Sequence, residues 1–259
     1  MRLRELLPGP GGLLLFFGAW EVGVRSGALQ YEYLPAPSVI ARAFAGMAAG
    51  ADLWDEVGHT LVATLLGWLI ACGAGTAIGV LLGLSAKARR YTLASIEMLR
   101  PLPGIAFAPL ALLLFGFSLQ MELLVIVAPV LWPALINSMG GVAAVSERLT
   151  EVARTLRMKP LATVTTILLP AAAPSILVGA RLSLTLALIM AVAAEMIGNP
   201  VGLGYAVVRE QQSMHPDRMF AYVLVMGALG IALDAGLRGV ARLLLPGEFS
   251  RPAPQWGRS

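Results

Sequence analysis

The chain has 259 residues, of which 58% are hydrophobic and 13% charged, with a net charge of +4 and a mean hydropathy of +0.78. A soluble domain carries about 25% charged residues to cover its surface, so a water-soluble globular fold is excluded and the chain belongs in a lipid bilayer. Its single cysteine, Cys72, excludes an intrachain disulfide and any CxxC redox or zinc motif.

A first span, about residues 11–27, is interrupted by Glu21. Arg2 and Arg4 precede it as in a signal peptide, but no small-x-small cleavage site follows closely, so an uncleaved helix is expected. Pro35 and Pro37 then hold the backbone extended, and Ser38 is the expected N-cap of a short helix. Ile40, Ala43, Phe44 and Met47 fall on one face of that helix, which lies on the outer interface or packs against the bundle.

The second span, about 59–84, contains Leu61–Leu84, 24 residues without a charge. About 20 apolar residues cross a bilayer as a helix, and the run lacks the alternation of a barrel strand. Gly75, Gly79 and Gly83 form two GxxxG steps, which permit close helix approach within the chain or in a dimer. The third span, about 93–116, includes most of the 21 uncharged residues Pro101–Met121. Glu97 and Arg100 can pair on one face. Pro101, Pro103 and Pro109 predict a kink, either structural or beside a translocation path. The fourth span, about 122–142, is followed by a polar segment at about 147–172.

Within that segment, Glu151–Pro170 reads EVARTLRMKPLATVTTILLP and carries Arg154, Arg157 and Lys159. Residues Pro160–Ala180 are again uncharged over 21 positions. Pro170 and Pro174 in their middle, with Thr155, Thr163, Thr165 and Thr166, favour an interfacial elbow over a seventh span. The fifth span, about 176–197, holds Arg181 and Glu195, about 21 Å apart along the axis and within about 40° of one face. A charge inside a membrane usually faces protein or water, so that face is expected to look inward. Snorkelling of Arg181 to headgroups and a bond from Glu195 to the following GNPVGLG turn are the alternatives. The sixth span, about 219–245, ends with Asp234, Arg238 and Arg242 at helical i,i+4 spacing, suited to an interfacial helix end.

Six spans place both termini on one side. That side carries Arg2, Arg4, Lys87, Arg89, Arg90, Arg148, Arg154, Arg157, Lys159, Arg251 and Arg258. The other side offsets Arg42 with Glu32, Asp52, Asp55 and Glu56, and Arg209 and Arg218 with Glu210 and Asp217. The positive-inside rule therefore makes both termini and the 147–172 segment cytoplasmic. The pI of 9.6 follows from this topology and implies no nucleic-acid partner. Neither Lys87 nor Lys159, the two lysines, follows a glycine, so there is no Walker A loop. There is no GxSxG or SxxK nucleophile motif, and His59 and His215 supply no HExxH or histidine-rich metal motif. Covalent catalysis is not expected, and the energy for any transport must come from a gradient or a partner.

The Glu151–Pro170 segment resembles the EAA loop of permease subunits from binding-protein-dependent ABC importers. Glu151 and Ala153 stand in the first triplet, and Ile167, Leu169 and Pro170 close the loop at the family spacing. Val152 replaces the middle alanine, and Arg157 replaces the loop glycine. If that turn needs a positive φ, a non-glycine residue there costs about 1 kcal/mol. LPAPSVI after the first span, RPLPGIAFAPLALLLFG at Arg100–Gly116, LPAAAPSILVGARLSL at Leu169–Leu184 and AEMIGNPVGLG at Ala194–Gly204 are similar to permeases of the nitrate, sulfonate, taurine and bicarbonate group.

The resemblance implies an all-α integral membrane protein with the type I ABC importer permease (MetI-like) fold. It implies one permease domain over residues 1–259 with six transmembrane helices and cytoplasmic termini. Its implied partners are a second copy of the permease, two copies of an ABC ATPase, an extracytoplasmic substrate-binding protein and the lipid bilayer. ATP and Mg belong to the ATPase, and no cofactor is bound by this chain. The implied ATPase-coupling residues are Glu151, Ala153, Arg154, Leu156, Arg157, Met158 and Pro170, with a short helix at about Glu151–Met158. Glu151 suits the start of that helix, Leu156 and Met158 are apolar plugs, and Arg154 and Arg157 pair with ATPase carboxylates. Candidate pathway residues are Arg100, Pro101, Pro103, Arg181 and Glu195. The expected cargo is a small oxyanion or sulfonate. The alternatives are a secondary transporter driven by an ion gradient, a class that commonly shows inverted repeats, and a non-transporting membrane scaffold.

Overall fold

The structure, a computed structural model, describes residues 10–29, 31 and 33–244. Arg2, Arg4, Glu32, Arg251 and Arg258 of the charge argument lie outside the described residues. In chain order the helices are α1 (Pro10–Arg25), α2 (Pro37–Ala48), α3 (Asp52–Gly83), α4 (Ala86–Leu99), α5 (Ala108–Phe115), α6 (Leu119–Ala143), α7 (Glu147–Thr155), α8 (Pro160–Thr163), α9 (Leu169–Gly198), α10 (Leu203–Gln212) and α11 (Pro216–Leu244). A 3₁₀ turn, Gly104–Phe107, leads into α5, and a π turn, Val164–Leu168, joins α8 to α9.

The core is the contact of α3, α6 and α9, filled by small and β-branched side chains such as Ala63, Ala71, Val125, Ile126, Val130, Ala187 and Ala191. Between α3 and α6 there is almost no side-chain layer. A Cβ on Gly75 would stand 2.6 Å from the Leu131 carbonyl oxygen, and one on Gly83 would stand 2.9 Å from that of Met139. The GxxxG steps therefore serve packing within the chain, because only glycine lets the two backbones come this close. The pairing order, Gly67 on Ile126 and Gly83 on Val142, shows that α3 and α6 run parallel. Gly179 lies on Pro133 and Gly198 on Met121, so α9 runs antiparallel to α6.

A parallel pair needs a return crossing between its members, and only residues 84–118 are available for it. They form α4 and the Gly104–Phe115 helix, bent by 72° at the break that holds Arg100, Pro101 and Pro103. The kink expected from the prolines is a full break. Glu97 and Arg100 do not form an ion pair; Arg100 caps the end of α4.

The 160–198 region departs from the expected elbow. It is one helical rod of 39 residues. Pro174 lies inside α9, and Pro170 is its second residue. The π turn ends two residues before Pro170, where the Leu169 N–H bonds back to Val164. Such a widened turn absorbs the mismatch that a missing proline N–H creates. Among the described residues four helices are long and apolar enough to cross a membrane, α3, α6, the 160–198 rod and α11, and the bent α4/α5 pair makes a fifth if it is counted as one span. α1, with 16 residues, is shorter than the roughly 20 a full crossing uses.

α2 starts at Pro37 with Ala36 as its N-cap, so Ser38 is not the cap. Ser38 instead donates from both its backbone N–H and its hydroxyl to Glu21, at 2.9 and 2.7 Å, which fastens α2 to α1. Glu21 is thus paired rather than stranded in the first helix, with Arg25 as its second partner. On the face of α2, Ile40 is buried and Met47 joins a second apolar cluster with Leu53, Leu203 and Tyr222.

Candidate functional site

Two regions at opposite ends of the bundle carry most of the organised polar chemistry. The first follows the C-terminal end of α6. There α7 begins at Glu147, one turn before Glu151, so Glu151 lies in the second turn rather than at the helix start. Ala153 is buried, while Leu149, Val152 and Leu156 are exposed, Leu156 to 67%. Arg154 lies in α7, its side chain outside the described set. The helix ends at Thr155, and Arg157 takes φ +50°. The Met158 N–H reaches back to the Ala153 carbonyl at 3.0 Å, the outer bond of a Schellman motif. Arg157 thus occupies the left-handed position usually given to glycine, and the loop keeps its turn despite the substitution. Met158 is half-buried, Arg157 is exposed, and Pro170 is exposed 13 residues further on at the start of α9. The same end of the bundle carries Lys87, Arg89 and Arg90 at the start of α4, and Arg238 and Arg242 in the last turns of α11.

The candidate pathway residues do not come together. Arg100, Pro101 and Pro103 are exposed in the α4–α5 break. Arg181 and Glu195 do not share an inward face. Arg181 is on the bundle surface, where α11 offers Asp234: Arg181 Nε donates to Oδ1 at 2.5 Å and Nη2 to Oδ2 at 3.0 Å. Asp234 also pairs with Arg238 at 3.1 Å, the i,i+4 contact expected from spacing. Glu195 is 1% exposed and accepts from the Gly204 backbone N–H at 2.8 Å. Its bond to the glycine-rich turn is the alternative reading of this residue, and it is the one realised.

That turn belongs to the second region, a polar cluster where α3, α6, α9 and α10 meet. The first N–H groups of a helix have no partner inside it. At α10 three in succession are taken by side chains. Gly202 N–H goes to Glu56, Leu203 N–H to Thr60 Oγ1 at 2.9 Å, and Gly204 N–H to Glu195. Glu56 and Thr60 are four apart on α3, one helical face reading the end of another. Gly202 adopts φ +98°, a conformation open to glycine. Arg209 reaches Glu56 at 3.2 Å and Glu210 at 3.4 Å. His59 Nε2 lies 2.9 Å from Glu122 Oε1, and Asn199 Nδ2 donates to that same oxygen.

His59, Glu122, Asn199 and Glu56 are not among the residues singled out by motif. One signal was present: Glu122 is the single charge between Pro101 and Ser146, and an ionisable group inside a membrane segment marks a partnered site.

Comparison with known proteins agrees with this architecture. Residues 75–246 match the family model described as the binding-protein-dependent transport system inner membrane component. The chain is 33% identical over 90% of its length, and 86% of the relative's, to SsuC of Bacillus subtilis (strain 168), provisionally described as an aliphatic sulfonates transport permease protein. It is 28% identical to the nitrate import permease protein NrtB of Leptolyngbya laminosa, covering 95% of this chain and 90% of that one. It is 27% identical to the taurine transport system permease protein TauC of Escherichia coli (strain K12), covering 94% and 90%. In structure it resembles a chain of the MetNI methionine ABC transporter in an inward-facing conformation, with a TM-score of 0.65, 19% identity, and coverage of 73% of this chain and 94% of that one. The chain therefore belongs to the inner-membrane component family of binding-protein-dependent transport systems, as a multi-pass ABC importer permease of the MetI-like fold.

Proposed function

We infer that this permease forms the translocation pathway for a small oxyanion or sulfonate and is driven by a separate ATPase that docks on α7. The observation that carries this reading is the surface of α7. Its side chain at Ala153 is buried, while Leu149 and Val152 on the helix and Leu156 just past its end stand exposed in an otherwise polar segment. Apolar groups presented on an organised polar segment suit a protein partner. Arg157, exposed beside them, suits partner carboxylates.

The same reading makes this end cytoplasmic, in keeping with Lys87, Arg89 and Arg90 nearby, and gives six crossings when α1 is counted as one. Two ATPase copies, holding ATP and Mg, act on two permease copies, and an extracytoplasmic binding protein delivers cargo to the end where α10 lies. The irregular backbone at Arg100–Pro103 is the segment assigned to the pathway wall, because broken helices at membrane depth belong where they face protein or a cavity. Sulfonate, nitrate and taurine in the names of relatives support the cargo class.

The test is Leu156→Asp, alone and with Val152→Asp, in the full chain co-expressed with its ATPase. The expected result is loss of ATPase co-purification with unchanged insertion of the permease. Retained ATPase association would overturn the docking assignment. Uptake into reconstituted vesicles without ATP would favour an ion-driven transporter instead.

A further inference from the structure

We propose that His59, Glu122 and Glu195 form a binding site for one divalent transition-metal cation, zinc or manganese in ligand preference, where α3, α6 and α9 meet. A ring nitrogen of His59 and one carboxylate oxygen of each glutamate lie within 4.8 Å of one another. Bonds of about 2.0–2.2 Å around such an ion put neighbouring ligand atoms about 3–3.6 Å apart, so small rotations of three side chains close the site. One imidazole and two carboxylates are a donor set suited to these ions rather than to calcium or magnesium, which take oxygen alone. The chain has no HExxH pattern because the three ligands come from three helices.

Two independent observations point to a cation. The first is charge. Glu122 and Glu195 are 0% and 1% exposed. The basic group beside Glu122 is His59, and Arg209 is engaged by Glu56 and Glu210 instead. Buried carboxylates in excess of their cations are strongly disfavoured. The second is valence. Glu122 Oε2 and Glu195 Oε1 are both shielded from solvent and without a hydrogen-bond partner. Buried polar atoms are ordinarily satisfied. The other oxygen of each carboxylate is already held, Glu122 Oε1 by Asn199 and by His59 Nε2, and Glu195 Oε2 by the Gly204 N–H. Such outer contacts orient the ligands of metal sites. Each glutamate thus has one oxygen fixed by the protein and one left for a ligand.

The site is tested on the full-length permease, purified in detergent, stripped with a chelator and titrated with Co²⁺ and then Zn²⁺. The expected result is a visible cobalt absorption that saturates at one ion per chain and is displaced by zinc. Glu122→Gln, Glu195→Gln and His59→Asn should each weaken cobalt binding on the order of 100-fold, while Glu97→Gln, on the exposed face of α4, should leave it unchanged. The wild-type titration does not depend on any variant folding. If the wild-type chain, intact by circular dichroism and gel filtration, takes up no more cobalt or zinc than the His59→Asn/Glu122→Gln/Glu195→Gln triple variant, the proposal is overturned and protons hold the two carboxylates.

Discussion

Arg181 of α9 and Asp234 of α11 meet fork to fork, with both arginine nitrogens within 3.0 Å of the two carboxylate oxygens. The aspartate is shared, since Arg238 lies 3.1 Å from it on the same helix. Removing the aspartate strands two cations, whereas removing Arg181 leaves Asp234 still paired. Asp234→Ala should therefore destabilise more than Arg181→Ala. A double-mutant cycle on thermal unfolding in detergent measures both. Equal losses would mean that Arg238 does not share the carboxylate.

Gly202 gives a sharper expectation. A Cβ there would stand 2.5 Å from Glu195 Oε1, on a backbone at φ +98°. Gly202→Ala should cost upwards of about 2 kcal/mol from backbone strain and collision together. Its yield in membranes should fall, while Gly140→Ala, with nothing within 4 Å of the added carbon, should behave as wild type.

The α3–α6 seam predicts a pattern along one helix. Gly75→Ala places its new carbon against the Leu131 carbonyl, at 2.6 Å. Backbone cannot swing aside as a side chain can, so a loss of about 1–3 kcal/mol is expected. Gly73→Ala points into open space and should be neutral or slightly stabilising. Melting temperatures of the two variants in the same detergent decide the matter.

Arg157 holds a left-handed conformation without being glycine. Arg157→Gly should relieve up to about 1 kcal/mol, and Arg157→Val should destabilise, since a branched side chain tolerates φ +50° worse than arginine. The readout is the melting temperature of the isolated permease, where no ATPase contact contributes. A lower melting temperature for the glycine variant would show that Arg157 makes a compensating contact.

Glu21 fastens the first two helices through Ser38. Glu21→Ala leaves the Ser38 N–H and hydroxyl without their acceptor and loosens the joint between α1 and α2. Limited proteolysis should then cut the 26–36 connection faster than in wild type.

Long uncharged runs announced α3 and α6 to within a few residues of one end, because crossing a bilayer demands apolar length. Proline announced the break before Gly104 but misled at Pro170, which follows the π turn, and at Pro174, which lies inside α9 without stopping it. The turn at Arg157 was legible because a spacing motif demands it whatever residue stands there. The cluster of His59, Glu122 and Asn199 was not legible. Its members lie up to 140 positions apart, and no local pattern links them. Only the parallel course of α3 and α6 brings their first turns side by side.

That parallel course has a mechanical consequence. Two backbones in direct contact along Gly75, Gly79 and Gly83 can neither slide nor roll past one another without atoms colliding. α3 and α6 must therefore travel as one stiff slab. Any alternation between open and closed forms has to be carried by the thinner joints around it: the bent α4–α5 corner and the lightly buried α11, fastened to α9 by the forked pair of Arg181 and Asp234.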